Sequence, residues 1–247
     1  GRRLGCRCER GGGRGSTGRP QVTPPRPWAF PVPTEHVLGN GVRVLLHDLP
    51  GQYVLSLRVV VPLAVSAEPA GQEGIASMTA RLLDEGTASL GSDEFAELME
   101  RHGMVLGAGV SDGGLLVDVD VSQRHLATAA GLLTQALAAP AFPEDEVRRI
   151  LRNRLAEIEQ ERASSAHRAS KEFARTLWDP ADRASRPTGG TPESIGALTR
   201  DDLVEFHATH VGPDGATVVH AGDPTDIDAL AVLEATLGTW PAPRSPR

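Results

Sequence analysis

Gly74-Ile75-Ala76-Ser77-Met78-Thr79-Ala80-Arg81-Leu82-Leu83-Asp84-Glu85-Gly86-Thr87 is the stretch on which the reading of this 247-residue sequence turns. Ile75, Met78 and Leu82 recur at i, i+3 and i+7, the spacing of one apolar helix face, and Gly86 supplies a stop. A helix over Gly74–Glu85 is the prediction. Upstream, His36–Leu38 and Val42–His47 flank Gly39-Asn40-Gly41 and predict a β-hairpin. Val54–Val61 follows as a largely apolar strand, expected to be buried on both faces.

Downstream, Ser92 is placed to cap a second helix with Phe95, Leu98 and Met99 inward and Gly103 at its end. Val105–Val110 and Leu115–Val121 predict two strands joined by the turn Ser111-Asp112-Gly113-Gly114; Val117, Val119 and Val121 alternate with Asp118 and Asp120, so one face is dry and one is wet. A third helix is expected after Ser122, carrying Leu126, Ala129, Leu132, Leu133 and Leu137, and ending at Pro140–Pro143. Glu144–Leu177 reads as one long helix, Pro180–Gly190 as a loop, and Thr199–His210 as a helix capped by Thr199 with Asp202 three residues on. Ala216–His220 reads as a strand and Asp226–Leu237 as a last helix. Strands arriving as hairpins and helices arriving in pairs predict an α+β domain, a mostly antiparallel sheet with helices packed on it.

The charge is uneven. Residues 1–26 hold seven arginines against one acid, Glu9, so the formal −7 conceals a body near −13. An acidic body argues against nucleic acid as the partner. Residues 1–34, rich in Arg, Gly and Pro, are expected to be a disordered tail, and 241–247 a linker. Both cysteines, Cys6 and Cys8, lie in that tail, which excludes a disulfide framework for the body. No apolar run reaches the length of a membrane span, and the N-terminus lacks the apolar core of a secretory signal, so the cytoplasm is the expected location.

Common catalytic signatures are absent: no phosphate loop, no Gly-x-Ser-x-Gly elbow and no His-Glu-x-x-His. His207 and His210, at i, i+3, have the spacing to share a metal, but no third ligand is suggested locally; the alternative is that they serve the C-terminal end of their helix. Asp84-Glu85 and Glu144-Asp145-Glu146 offer carboxylates for acid/base work, or simply solvated helix faces.

The opening stretch resembles the signature of the insulinase/pitrilysin family of zinc peptidases, Gly-x-Ala-His-x-x-Glu-His followed by Gly-Thr. Gly74, Ala76, Gly86 and Thr87 stand in register with it. The chemical positions differ: Ser77 and Arg81 replace the two zinc-binding histidines, and Ala80 replaces the glutamate base. In that inverted motif the two histidines hold zinc from one helix face and the glutamate takes a proton from zinc-bound water. Serine is a poor ligand there, alanine accepts no proton, and arginine repels a dication. The family's third ligand, a glutamate on a later helix, corresponds to Glu157, 76 residues after Arg81. Gly190-Thr191-Pro192-Glu193-Ser194-Ile195 and Leu198-Thr199-Arg200-Asp201-Asp202-Leu203 continue the likeness, which covers about residues 35–240.

The resemblance implies one insulinase-like domain, half of a two-domain chain, that is not an enzyme by itself and holds no cofactor of its own. Zinc is expected only in a catalytic partner of the same family, with which this chain would enclose a peptide substrate. It places Glu157 facing Arg81, which predicts an ion pair standing where metal would stand; the alternative is that Arg81 points to solvent. It further implies that the edge strand formed by Val105, Leu106, Gly107, Ala108, Gly109 and Val110 pairs with peptide backbone; Gly107 and Gly109, which keep one face small, serve either that or simple packing. Two other readings stay open: a structural or interaction protein of the same fold without a peptidase role, and an enzyme that uses other residues.

Overall fold

A computed structural model describes residues 24, 29–63, 65–111 and 113–243. The arginine-rich stretch with Cys6 and Cys8, the turn residue Asp112 and the last linker residues 244–247 lie outside the described residues. The fold is α+β. Strands β1 (Thr34–Val37), β2 (Arg43–Asp48), β3 (Val54–Val61), β4 (Val105–Ser111), β5 (Gly114–Ser122) and β6 (Thr217–Gly222) form one sheet in the order β1-β2-β6-β3-β5-β4. Neighbours are antiparallel except β2 and β6, which run parallel. The helices are α1 (Ile75–Ala80), α2 (Ser92–Arg101), α3 (Leu126–Ala138), α4 (Glu144–Ala163), α5 (Ser165–Leu177), α6 (Pro192–Ala197), α7 (Arg200–His210) and α8 (Ala229–Ala235). No helix among the described residues is long and apolar enough to cross a membrane.

The predicted hairpin forms β1 and β2, with Gly41 in the left-handed region at φ 90°. On β3 the odd residues Leu55, Leu57, Val59 and Val61 are buried, whereas Val54 and Arg58 are exposed and Ser56 and Val60 half-buried. This corrects the expectation of burial on both faces. Antiparallel sheets carry their core on one face and leave the other wet, and the pairing of Arg58 opposite Asp118 and Val219 marks the wet side. At the β4–β5 turn Gly114 is required: a Cβ there would stand 2.2 Å from the Val61 carbonyl oxygen, at a φ of 122°.

Three helix boundaries differ from the sequence expectation. The first helix stops at Ala80; beyond it Leu82, Leu83 and Glu85 donate to Thr79, Ala80 and Leu82, tightening into i→i−3 turns that bury Leu82 and Leu83 together. The expected helix from Glu144 to Leu177 breaks at Ser164, whose backbone turns extended (φ −82°, ψ 121°) while its hydroxyl accepts the His167 N–H and starts α5. The last helix is shorter, beginning after the N-cap Asp228, which accepts from Ala231 N–H at 2.9 Å. Two caps also move. Gly91, not Ser92, caps α2, and the Glu94 carboxylate accepts its N–H at 3.2 Å. Ser122 precedes a short 3-10 turn and makes no side-chain cap bond. The Thr199–Asp202 capping box of α7 is as expected, with Asp202 accepting the Thr199 N–H at 2.8 Å and donating its own N–H to Thr199 Oγ1 at 3.2 Å.

Candidate functional site

The short helix α1 and the long helix α4 bring the signature positions together. Ala80 is buried, Ser77 is half-buried, and Arg81 occupies the C-cap of α1, where its side chain crosses to α4. There it meets Glu157 in a two-pronged pair: Nη1 donates to Oε1 at 2.7 Å and Nη2 to Oε2 at 2.9 Å. A guanidinium fork matched to a carboxylate is the strongest form of such a pair. Glu157 is also held from its own helix. Arg154, nearly buried, donates from Nη1 to Glu157 Oε2 at 2.9 Å and to Glu161 Oε1 at 2.7 Å, and from Nε to the Gly189 carbonyl at 2.9 Å. Lys171 on α5 donates to the other Glu161 oxygen at 3.1 Å. The cluster therefore alternates in sign: Arg81, Glu157, Arg154, Glu161, Lys171.

The residues present do not fit zinc. Both oxygens of the one carboxylate that matches a family ligand are taken by guanidinium groups, Arg81 places a cation where a ligand would be, and Ala80 brings no base. Among the described residues no group of three or more His, Cys, Asp or Glu side chains converges on a metal position. The Arg81 hydrogen bonds, seconded by Arg154 and opposed by desolvation, hold the Glu157 carboxyl down to about 2 from 4.5. Stability drawn from this depressed carboxyl is complete above pH 4.5 and is lost as the pH falls toward 2. In Arg81→Ala the Glu157 carboxyl should return toward its ordinary range, read by a carboxyl-detected NMR titration; a value still near 2 would mean that Arg154 alone holds it.

The other candidates resolve individually. His207 is buried on α7 and donates from Nε2 to the Leu137 carbonyl at 3.0 Å, while the His210 ring lies against Phe206, tilted by 44° with ring centres 4.7 Å apart. Burial lowers the His207 pKa to about 4, against the opposing hydrogen bond to Leu137. Glu85 accepts from Arg149 and from Ser92 Oγ, and Asp145 and Glu146 pair with Arg148 and Arg149 one turn on; these carboxylates serve surface and helix pairing. Burial, aided by the neighbouring Glu85 charge, raises the Asp84 pKa.

Strand β4 lies at the sheet's end, pairing with β5 and with no further strand among the described residues. Val105 is 79% exposed. Gly107 sits beside Asp118, where a Cβ would come within 3.2 Å of Oδ1, and a Cβ at Gly109 would meet nothing within 4 Å.

Sequence reasoning reached Arg81 and Glu157 but missed their supports. Arg154, Glu157 and Glu161 recur at i, i+3 and i+7 on α4, a spacing that places them on one helix face and was available as a signal. The buried pair of Glu68 and Arg183 had no local signal, since the partners lie 115 positions apart.

The family profile described as Insulinase (Peptidase family M16) matches residues 43–181, and that described as Peptidase M16 inactive domain matches residues 197–247. The non-peptidase homolog YmxG of Helicobacter pylori is 27% identical over 152 residues, covering 62% of this chain and 35% of that protein. An uncharacterized zinc protease of Mycobacterium tuberculosis is 25% identical over 214 residues, covering 87% of this chain and 48% of that protein. The chain thus spans half or less of the length of these curated relatives. Among solved structures, a protease from Helicobacter pylori superposes with a TM-score of 0.79 at 20% identity, covering 89% of this chain and 53% of that one. A peptidase M16 inactive domain from Pseudomonas fluorescens gives 0.78 at 21% identity, covering 87% and 52%. Pitrilysin gives 0.73 at 22% identity, covering 86% and 23%.

Proposed function

The chain belongs to the insulinase family, peptidase family M16, as a member with a degenerate zinc motif, and on that premise we propose that it is a non-catalytic subunit. Residues 35–240 would be its insulinase-like domain, pairing as a heterodimer with a zinc-binding homologue and helping to enclose a peptide for proteolysis. The observation that carries this reading is the Arg81–Glu157 pair. It sets a charge-satisfied, partly exposed contact at the positions where the family motif holds metal and leaves the surrounding fold intact. Two exposed features support a role in holding peptide. The outer edge of β4, Val105 to Val110, offers backbone groups for strand addition. Helix α5 turns Phe173 and Leu177 to solvent at 66% and 57% exposure, while Lys171 reaches back to the body. The compartment proposed is the cytoplasm.

Coexpression with a homologue carrying an intact His-x-x-Glu-His tests the proposal. The two chains should copurify, with zinc in the homologue and none in this chain alone, and peptide cleavage should require both. Gly109→Val should then raise the KM of the pair about tenfold by crowding the β4 face, with zinc content unchanged. A chain that neither copurifies nor alters cleavage is instead a structural or interaction protein of the same fold.

A further inference from the structure

Two arginines hold Glu157, and they stand on different elements. Arg81 comes from the end of α1, at a motif position, and its side chain is 36% exposed. Arg154 comes from α4, three residues before Glu157, and its side chain is only 8% exposed. Arg154 is none of the signature positions Ser77, Ala80, Arg81 and Glu157.

The Arg154 guanidinium is fixed on three sides. Nη1 donates to Glu157 Oε2 and Glu161 Oε1, and Nε to the Gly189 carbonyl. At Gly189 a Cβ would stand 2.4 Å from Nη2 and 2.9 Å from Cζ, so the guanidinium fills the room that a side chain there would need. Moving it aside would strand a carbonyl and two carboxylates that it now satisfies. Removing Arg81 therefore does not free Glu157. Three cations, Arg81, Arg154 and Lys171, face two carboxylates, Glu157 and Glu161. Without Arg81, the other two cations still balance both acids charge for charge. A carboxylate draws a dication through its negative charge. A fixed guanidinium 2.9 Å from one of its oxygens offsets that charge and repels the ion directly, with little water on the Arg154 side to screen it.

We infer that Arg154 excludes divalent metal from this site independently of Ser77, Ala80 and Arg81. The loss of metal is built in twice, on α1 by the motif residues and on α4 by a buried cation, and restoring the motif alone does not make this chain a zinc protein. This concerns only the residues around Glu157, and it holds whether the chain pairs with a zinc-binding homologue or serves as an interaction protein of the same fold.

Ser77→His, Ala80→Glu and Arg81→His together rebuild the two-histidine, one-glutamate motif on α1, with Glu157 as the third ligand. Adding Arg154→Gln leaves an N–H for Glu157 but no charge. Zinc affinities of the triple and quadruple variants, measured at pH 7 by competition with a fluorescent chelator, should differ by about a hundredfold or more in favour of the quadruple. Arg154→Met, apolar and of similar length, should act in the same way, with each fold checked by circular dichroism. Glu157→Gln added to the quadruple variant should abolish the gain, which assigns the zinc to this carboxylate. The inference is overturned if the triple variant binds zinc as tightly as the quadruple, if neither replacement of Arg154 brings zinc binding, or if the gain survives Glu157→Gln.

Discussion

Glu68→Gln should lower the unfolding free energy by about 3–5 kcal/mol, the usual result of removing one partner of a buried ion pair. The Glu68 side chain is fully buried and that of Arg183 is 9% exposed. One carboxylate oxygen accepts the backbone N–H groups of Gly74 and Ala76, at 3.2 and 3.1 Å, and so satisfies the start of α1. The other accepts Arg183 Nε at 2.9 Å. Arg183 donates onward to the carbonyls of Arg186 and Pro187, at 2.8 and 3.3 Å. The pair therefore ties the 179–190 loop to the helix that carries Ser77 and Arg81. Glutamine keeps the shape but removes the charge, stranding a buried guanidinium. Urea denaturation of Glu68→Gln, Arg183→Met and the double variant measures this; the double variant should be less destabilised than the sum of the singles. A loss below about 1 kcal/mol for Glu68→Gln would show that water reaches the pair.

His207 should make the protein acid-sensitive well above the carboxylate range. Burial holds its folded-state pKa at about 4, against 6.5 for an ordinary imidazole. Above pH 6.5 the ring is neutral in both states and stability is complete. As the pH falls from 6.5 to 4, the unfolded chain takes up a proton that the folded chain refuses, so stability drops by about 3 kcal/mol over the window and then levels off. His220, buried in β6, is shifted downward by burial too and adds in the same direction. His207→Gln isolates the contribution of His207, since glutamine has an N–H to offer the Leu137 carbonyl but does not titrate. The difference in stability between pH 7 and pH 4.5 should shrink in the variant. An unchanged difference would mean that His207 is protonated in the folded protein at mildly acid pH.

Much of the site was legible. The in-register glycines and alanine around Ser77, Ala80 and Arg81, and the distance to Glu157, located the pair that the structure closes at 2.7 and 2.9 Å. The β4–β5 hairpin was read from its turn residues, and the wet face of β5 from the alternation of valine with aspartate. The break at Ser164 was not, because a helical pattern on both sides hides a cap made by one hydroxyl. The wet face of β3 was missed because Val54 and Val60 look like core residues until the sheet shows which face the helices cover.

By itself the sequence determined what no packing could alter. It set the periods that make strands and helices, the acidic body, the side chains at the motif positions, and so the inability of Ser77, Ala80 and Arg81 to hold and use zinc. These are local properties, carried by residue type or by spacings within a turn or two. The tertiary structure alone decided that Glu68 meets Arg183, that Arg154 is buried against the Gly189 carbonyl, and that His207 lies against the Leu137 carbonyl. Such contacts join positions 35, 70 and 115 residues apart. Bringing them together requires the whole core to close, so their strength depends on burial that exists only once it has.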